Sequence, residues 1–182
     1  MKVLGGRAKG KTLIAVPGDT TRPVLSRVRS SIFDILRPEI DGIKFLDLFG
    51  GTGSIGIEAL SQGATHCTFI DLEKKAIEVI KKNLKTCDLD SDAKVVHQDS
   101  FSFLSSTKES YDLIYIAPPQ YERMWVKAAE IVGTRPELVN KQGLVVVQID
   151  PKENEPVTLP EFNLEKTKNY GNTMLLFFRK KA

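Results

Sequence analysis

The sequence predicts an α/β fold: a doubly wound, mostly parallel sheet of seven strands that ends in an antiparallel hairpin, with a small basic extension at the N-terminus. Three observations predict it. Short, near-continuous apolar runs alternate with stretches of helical period from residue 44 to residue 149, as parallel strands buried on both faces do. A glycine turn, Gly50-Gly51-Thr52-Gly53, follows the first of these runs and opens a helix. Two β-prone runs flank Gly171-Asn172 near the C-terminus, which is hairpin chemistry. A chain of 182 residues, 41% hydrophobic, is long enough to bury one sizeable core.

Residues 1–16 hold short β-prone stretches broken by Gly5-Gly6 and Gly10, so residues 1–20 read as a hairpin-like extension and residues 21–182 as the main domain. Thr20-Thr21 suits a helix cap with Pro23 in the first turn, and Leu25, Val28, Ile32 and Ile35/Leu36 recur at helical spacing until Pro38. Arg22, Ser26 and Arg29 fall at i, i+4 and i+7, which suggests a wet, basic face. Strands are expected at residues 44–49, 65–70, 93–97, 111–116 and 143–149. Between them come a helix to about Leu60 that Gly63 ends, and one whose buried stripe is Ala76, Ile77, Ile80 and Leu84. A short helix at residues 101–104 and another near residues 121–132 complete the alternation. After a turn-rich stretch, residues 162–170 and 173–179 form the hairpin.

No apolar run approaches the roughly 18 residues of a membrane helix, and no long apolar segment follows Met1, so neither membrane insertion nor a secretory leader is expected. Cys67 and Cys87 stand alone, without metal-ligand spacing, and read as buried thiols in a reducing compartment; no metal is expected. Residues 1–37 carry eight basic residues against two acids, a charge of +6, which leaves −3 on the rest of a chain whose net charge is +3. Such an arm suits a polyanionic partner.

Gly51, Gly53 and Gly56 satisfy G-x-G-x-x-G, with Asp71 twenty residues beyond Gly51, so a nicotinamide-dependent oxidoreductase is a rival reading. The acids argue against it. A pyrophosphate at the helix N-terminus disfavours a carboxylate such as Asp47. S-adenosylmethionine has no phosphate and carries a sulfonium and an ammonium, for which Asp47 is favourable. Asp71 is placed to accept both ribose hydroxyls, and Asp99 to accept the adenine amine. Three successive strand ends thus supply acids along one crevice. The expected cofactor is S-adenosylmethionine, held by Asp47, Phe49, Gly50, Gly51, Thr52, Gly53, Asp71, Asp99 and Ser100, on a Rossmann-like class I methyltransferase fold.

The opening Val3-Leu4-Gly5-Gly6-Arg7-Ala8-Lys9-Gly10-Lys11 is similar to an R-x-I-G-G-x-x-x-G-R/K segment. Thr21-Arg22-Pro23 with Arg27-Val28-Arg29-Ser30-Ser31-Ile32-Phe33 is similar to T-R-P-x-x-x-R-V-R-E-x-L-F, and residues 45–64 to F-L-D-L-F-A-G-T-G-x-x-G-I-E-A-L-S-R-G-A. By these segments the chain resembles the RsmD-type family of 16S ribosomal RNA guanine-N2 methyltransferases over almost its whole length. The resemblance implies methyl transfer to the exocyclic N2 of a guanine, and ribosomal RNA or the small ribosomal subunit as partner. It implies a basic N-terminal part that contacts RNA, here Arg7, Lys9, Lys11, Arg22, Arg27 and Arg29. A cytoplasmic monomer is expected, with an organelle stroma or matrix as the alternative compartment.

Enzymes that methylate such amines carry a D/N-P-P-Y/F/W turn after the fourth strand, whose acceptors hold the amine while the aromatic stacks on the base. Here the turn reads Ala117-Pro118-Pro119-Gln120-Tyr121, with Ala117 in place of the acid or amide and the aromatic one residue late. Three readings compete: Gln120 supplies the acceptor with Tyr121 as platform; backbone carbonyls suffice; or the protein binds ribosomal RNA as an assembly factor without modifying it. His66 and His97 read as locally hydrogen-bonded, and Trp125 as a packing residue.

Overall fold

The computed structural model describes residues 1–18 and 24–182; residues 19–23, and with them the expected cap Thr20-Thr21, Pro23 and Arg22, lie outside the described residues. Seven strands, β1 (Lys44–Asp47), β2 (His66–Asp71), β3 (Ala93–His97), β4 (Tyr111–Ile116), β5 (Val139–Ile149), β6 (Phe162–Tyr170) and β7 (Thr173–Lys180), make one sheet in the order β3-β2-β1-β4-β5-β7-β6. The pairs β1–β2, β2–β3 and β4–β5 are parallel, and β7 runs antiparallel to both β5 and β6. The mostly parallel sheet with its closing hairpin is present as the sequence predicts. Five helices accompany it among the described residues: α1 (Ser26–Leu36), α2 (Ser54–Ser61), α3 (Lys74–Thr86), α4 (Ser100–Ser106) and α5 (Met124–Thr134). The chain divides into two compact units, Met1–Gln98 and Asp99–Ala182.

In the first unit, α2 is buried on every side: Ile55, Ile57, Ala59 and Leu60 are core, and its polar line of Ser54, Glu58 and Ser61 is buried as well. Gly56 allows it to lie against β2: a Cβ there would fall 2.3 Å from Phe69 Cε1 and 2.7 Å from Cys67 Sγ. Amphipathic α3 buries Ala76, Ile77, Val79, Ile80, Asn83 and Leu84. Each large aliphatic side chain removed from water in this way stabilises the unit by about 1.5–3 kcal/mol.

The N-terminal residues turn back on themselves, with Lys2 bridged to Thr12 and Val3 N–H bonded to Lys11 O at 3.0 Å. They do not project: Val3, Ala8, Leu13 and Val16 are buried. Gly6, in the left-handed region at φ +76°, passes so close to α2 that a Cβ would sit 1.7 Å from Ser61 O.

Two expectations for α1 are corrected. The helix begins at Ser26, and Leu25, expected within it, is extended (ψ 140°) and serves as the N-cap residue without a side-chain cap. Arg29 does not face water. It shares a stripe with Ile32, Phe33 and Leu36 at i+3, i+4 and i+7, and is fully buried with them.

In the second unit, β7 buries Met174–Phe178 as the partner of β5, while β6 is exposed from residue 163 to 169. Helix α5 packs on α4 and β5. It starts at Met124 rather than near residue 121, because Tyr121 and Arg123 have φ of 67° and 52°, which no right-handed helix accommodates. Strand β5 starts at Val139, four residues before the expected 143, and its polar opening passes Gln142 at φ 58° beside a register shift in β4.

Candidate active site

In the first unit the chain leaves β1 at Asp47 and turns through Gly50, Gly51, Thr52 and Gly53 into α2. The turn closes on itself. Gly50 N–H donates to Ile70 O at 2.8 Å and Gly53 N–H to Gly50 O at 2.8 Å. Gly51 N–H donates to Asp71 Oδ2 at 2.8 Å, Ser54 N–H to Thr52 Oγ1 at 3.3 Å, and Gly56 N–H to Asp47 Oδ2 at 3.1 Å. Asp71, at the end of β2, also accepts Glu73 N–H through Oδ1 at 2.8 Å. The parallel register of β1 and β2 thus brings two predicted carboxylates to one turn. Asp47 is 2% exposed, and burial pushes its carboxyl well above the usual carboxylate range. The Gly56 N–H opposes that rise, and the charge of Asp71 adds to it.

The turn is also fixed from outside. Asn83, buried on α3, donates from Nδ2 to Thr52 O at 2.9 Å and to Ile14 O at 3.1 Å, while its Oδ1 accepts Ile14 N–H at 2.8 Å. Glu58, buried on α2, accepts Leu4 N–H and Gly5 N–H, the latter at 2.8 Å, and Gln62 Nε2 at 2.8 Å. Arg29 Nη1 stands 3.8 Å from Glu58 Oε2, and Nη2 donates to Lys2 O at 2.6 Å. Sequence reading missed Asn83 and Glu58. For Asn83 the signal was there: it is a lone polar residue on the apolar stripe of α3.

In the second unit, Asp99 caps α4, its Oδ2 accepting Ser102 N–H at 2.8 Å, and Ser100 is buried. Strand β4 ends at Ile116 and runs into Ala117-Pro118-Pro119-Gln120-Tyr121, where Pro119 and Gln120 are exposed. Tyr121 is 64% exposed yet held at two points: its N–H donates to Glu153 Oε1 at 2.7 Å and its hydroxyl to Asp150 Oδ2 at 2.8 Å. Asp150 and Glu153 also form a capping box, in which Asp150 accepts Lys152 N–H at 2.9 Å and Glu153 accepts Asp150 N–H at 3.1 Å. Asp150-x-x-Glu153 is readable as a capping box in the sequence, but its use as the anchor of Tyr121 is not. Trp125 is buried, as expected, with its indole N–H on Glu153 O at 3.2 Å. Tyr121, Trp125, Arg123 and residues 152–155 line a cavity of about 240 Å³.

Of the expected RNA-facing residues, Lys9, Lys11 and Arg27 are exposed, and Arg7 is exposed but paired with Asp92. Arg29 is withdrawn from that set by its burial. His66 meets Thr68 Oγ1 at 3.3 Å and His97 meets Leu72 O at 2.8 Å, local bonds as expected, and both cysteines are buried free thiols. Among the described residues no helix is long and apolar enough to cross a membrane.

The family model described as "Conserved hypothetical protein 95" matches residues 1–179. The chain belongs to this family. It is 35% identical to the putative rRNA methyltransferase YlbH of Bacillus subtilis (strain 168), with all of both chains covered. It is 29% identical to the ribosomal RNA small subunit methyltransferase D of Haemophilus influenzae, over 94% of this chain and 89% of that one. Among solved structures, the putative methyltransferase yhhF from Escherichia coli superposes with a TM-score of 0.88 at 27% identity, covering 100% of this chain and 98% of that chain. The fold is that of a methyltransferase, as the sequence predicts.

Proposed function

We propose that the chain transfers a methyl group from S-adenosylmethionine to the exocyclic N2 of a guanine in small-subunit ribosomal RNA. One observation carries the cofactor class: in the glycine turn the N–H groups of Gly50, Gly51, Gly53, Ser54 and Gly56 are already bonded within the protein, and two carboxyl groups border it. A pyrophosphate needs free amide donors and repels carboxylates, so a dinucleotide fits this turn poorly. A sulfonium ligand with an α-ammonium fits it well.

Bound S-adenosylmethionine supplies an electrophilic methyl group. Asp71 uses one lone pair on each oxygen to hold the turn, which leaves acceptor capacity for two ribose hydroxyls. Asp47 balances the positive charge. Asp99 caps the helix through Oδ2, and its Oδ1 is assigned to the adenine amine, with Ser100 beside it. On the acceptor side, the carbonyls of Ala117 and Pro118 and the amide oxygen of Gln120 accept the N–H bonds of the guanine amine. They would stabilise the charge that grows on N2 as the N–C bond forms and the C–S bond breaks, with S-adenosylhomocysteine as the leaving group and the proton of N2 passing to water. Tyr121, fixed at its backbone and hydroxyl, offers its exposed ring to a base turned out of its stack. Lys9, Lys11, Arg27 and Arg7 meet the RNA backbone. Residues 1–20 act as the RNA-facing extension of a catalytic domain at residues 21–182, in a monomer that works in the cytoplasm.

The test is incubation with S-adenosylmethionine labelled in its methyl group and small subunits lacking the modification, followed by mass mapping of the RNA. Label on one guanine N2 is expected. Binding to the subunit with no incorporation would instead make the protein an assembly factor, and tight NAD binding without S-adenosylhomocysteine binding would make it an oxidoreductase.

A further inference from the structure

Helix α3 turns five lysines outward, Lys74, Lys75, Lys81, Lys82 and Lys85, against a single acid, Glu78. All five are exposed, and none forms an ion pair among the described residues. Local helix energetics accounts for them only in part: Glu78 has Lys82 at i+4, and Lys85 lies in the last turn, where the dipole favours cations. Lys74 and Lys75 occupy the first turn, where the helix dipole favours acids, and no acid lies there. Lys81 and Lys85, at i and i+4, and Lys82 and Lys85, at i and i+3, set like charges side by side. A face that serves only solubility mixes its signs. One with five lysines against one acid, and with like charges set side by side, suits a partner of opposite sign.

The N-terminal arm extends this face. Val16 packs with Ala76 and Val79, Ile14 bonds to Asn83, and Arg7 reaches Asp92 just beyond the helix. Residues 16 to 7 therefore run along α3 from its first turn to its end, and carry exposed Lys11 between the last two contacts. Lys75 and Lys82, seven residues apart and so on one line of the helix, border the stripe on which the arm lies. The apolar face of α3 is consumed by burial of Ile77, Ile80 and Leu84, so nothing on it remains to enter a lipid surface.

We propose that the lysine face of α3, continued by Lys11, is a second docking surface that takes ribosomal RNA through its phosphates. The proposal rests on the ribosomal RNA reading given above, and the sequence had assigned that contact to Arg7, Lys9, Lys11, Arg22, Arg27 and Arg29 alone.

Titration of protein-free small-subunit ribosomal RNA against the full chain over a range of salt tests it, with Lys81→Gln/Lys82→Gln/Lys85→Gln beside the unaltered protein. Each phosphate contact contributes about 0.7–0.9 to the slope of log affinity against log salt, so the triple variant should lose about 2 from that slope. The single variant Lys82→Gln should lose just under 1. Affinity for S-adenosylhomocysteine should not change, and the melting temperature should not fall. Lys166→Gln/Lys168→Gln on β6, also exposed, should leave the slope where it was. An unaltered protein with no affinity for the RNA overturns the ribosomal RNA reading itself. An unaltered protein that binds, with a triple variant of equal slope, overturns only the α3 surface. So does a variant that keeps its RNA affinity while losing affinity for phosphatidylglycerol vesicles, since the face would then serve a membrane.

Discussion

Asp47 sits in a nearly dry environment with one backbone donor, and its carboxyl is held neutral well beyond the usual pH. That arrangement costs stability. An acid whose folded pKa exceeds its unfolded value of about 3.9 loses stability as pH rises from the unfolded value towards the folded one. Asp47→Asn keeps an acceptor for Gly56 N–H and removes this loss. Thermal melts should show the variant gaining on the unaltered protein at pH 8 and not at pH 4. A bound cation reverses the preference and draws a proton off the carboxyl. Affinity for S-adenosylmethionine should therefore rise with pH in the unaltered protein, with proton release visible by calorimetry in buffers of different ionisation enthalpy. In Asp47→Asn both the affinity and its pH dependence should fall. A flat profile in the unaltered protein would remove Asp47 from the cofactor's surroundings. At the other half of the chemistry, Gln120 is the nearest substitute for the acceptor that Ala117 lacks. Gln120→Ala should lower methyl transfer by about 10²–10³ while sparing cofactor affinity. Unchanged turnover would leave the work to the backbone carbonyls.

Among the elements, β4 falls where its apolar run put it, because a buried parallel strand announces itself by composition, and the half-exposed edge strand β3 falls at its expected residues too. The start of α5 does not, because the left-handed residues Tyr121 and Arg123 carry no sequence mark: neither is glycine or asparagine. Arg29 shows a different limit. Its charge suggested solvent, whereas its place on the α1 stripe with Ile32 and Leu36 already pointed inward. The cause is on another helix, since Glu58 of α2 supplies the carboxylate, and no local pattern connects residues 29 and 58. For the candidate site, the glycine turn with Asp47 and Asp71 was legible from spacing, while the anchoring of Tyr121 by Asp150 and Glu153 depends on contacts some thirty residues apart. The Arg29–Glu58 pair yields its own prediction. Removing one partner strands the other charge, so Glu58→Ala should cost about 3–5 kcal/mol in denaturant unfolding. Arg29→Met with Glu58→Leu together should recover most of that loss if the pair acts by charge alone. Failure of the double variant to recover would show that the Leu4 and Gly5 N–H groups, left without Glu58, carry the cost instead.

At the scale of the whole molecule, the N-terminal residues do two jobs that the sequence presented as one. Their charge suits RNA, and their backbone completes the fold around the glycine turn: Asn83 joins Ile14 to Thr52, and Glu58 joins Gly5 and Arg29 to α2. Had the arm been a loose basic tail, deleting residues 1–16 would weaken RNA binding and nothing else. The contacts say otherwise. Deletion uncovers Val79, leaves the Asn83 amide half-paired, and strands the Glu58 carboxylate beside Arg29 without two of its donors. Each newly unpaired buried polar group costs about 1–3 kcal/mol. The truncated chain should therefore melt several degrees lower in the complete absence of RNA, and bind S-adenosylhomocysteine more weakly, because Asn83 no longer holds Thr52 from a fixed position. Lys9→Gln/Lys11→Gln, which removes charge and keeps the backbone, should lower RNA affinity with no change in melting or cofactor binding. The two variants separate the roles: a truncation that melts and binds cofactor like the full chain would return the arm to the status of a tail.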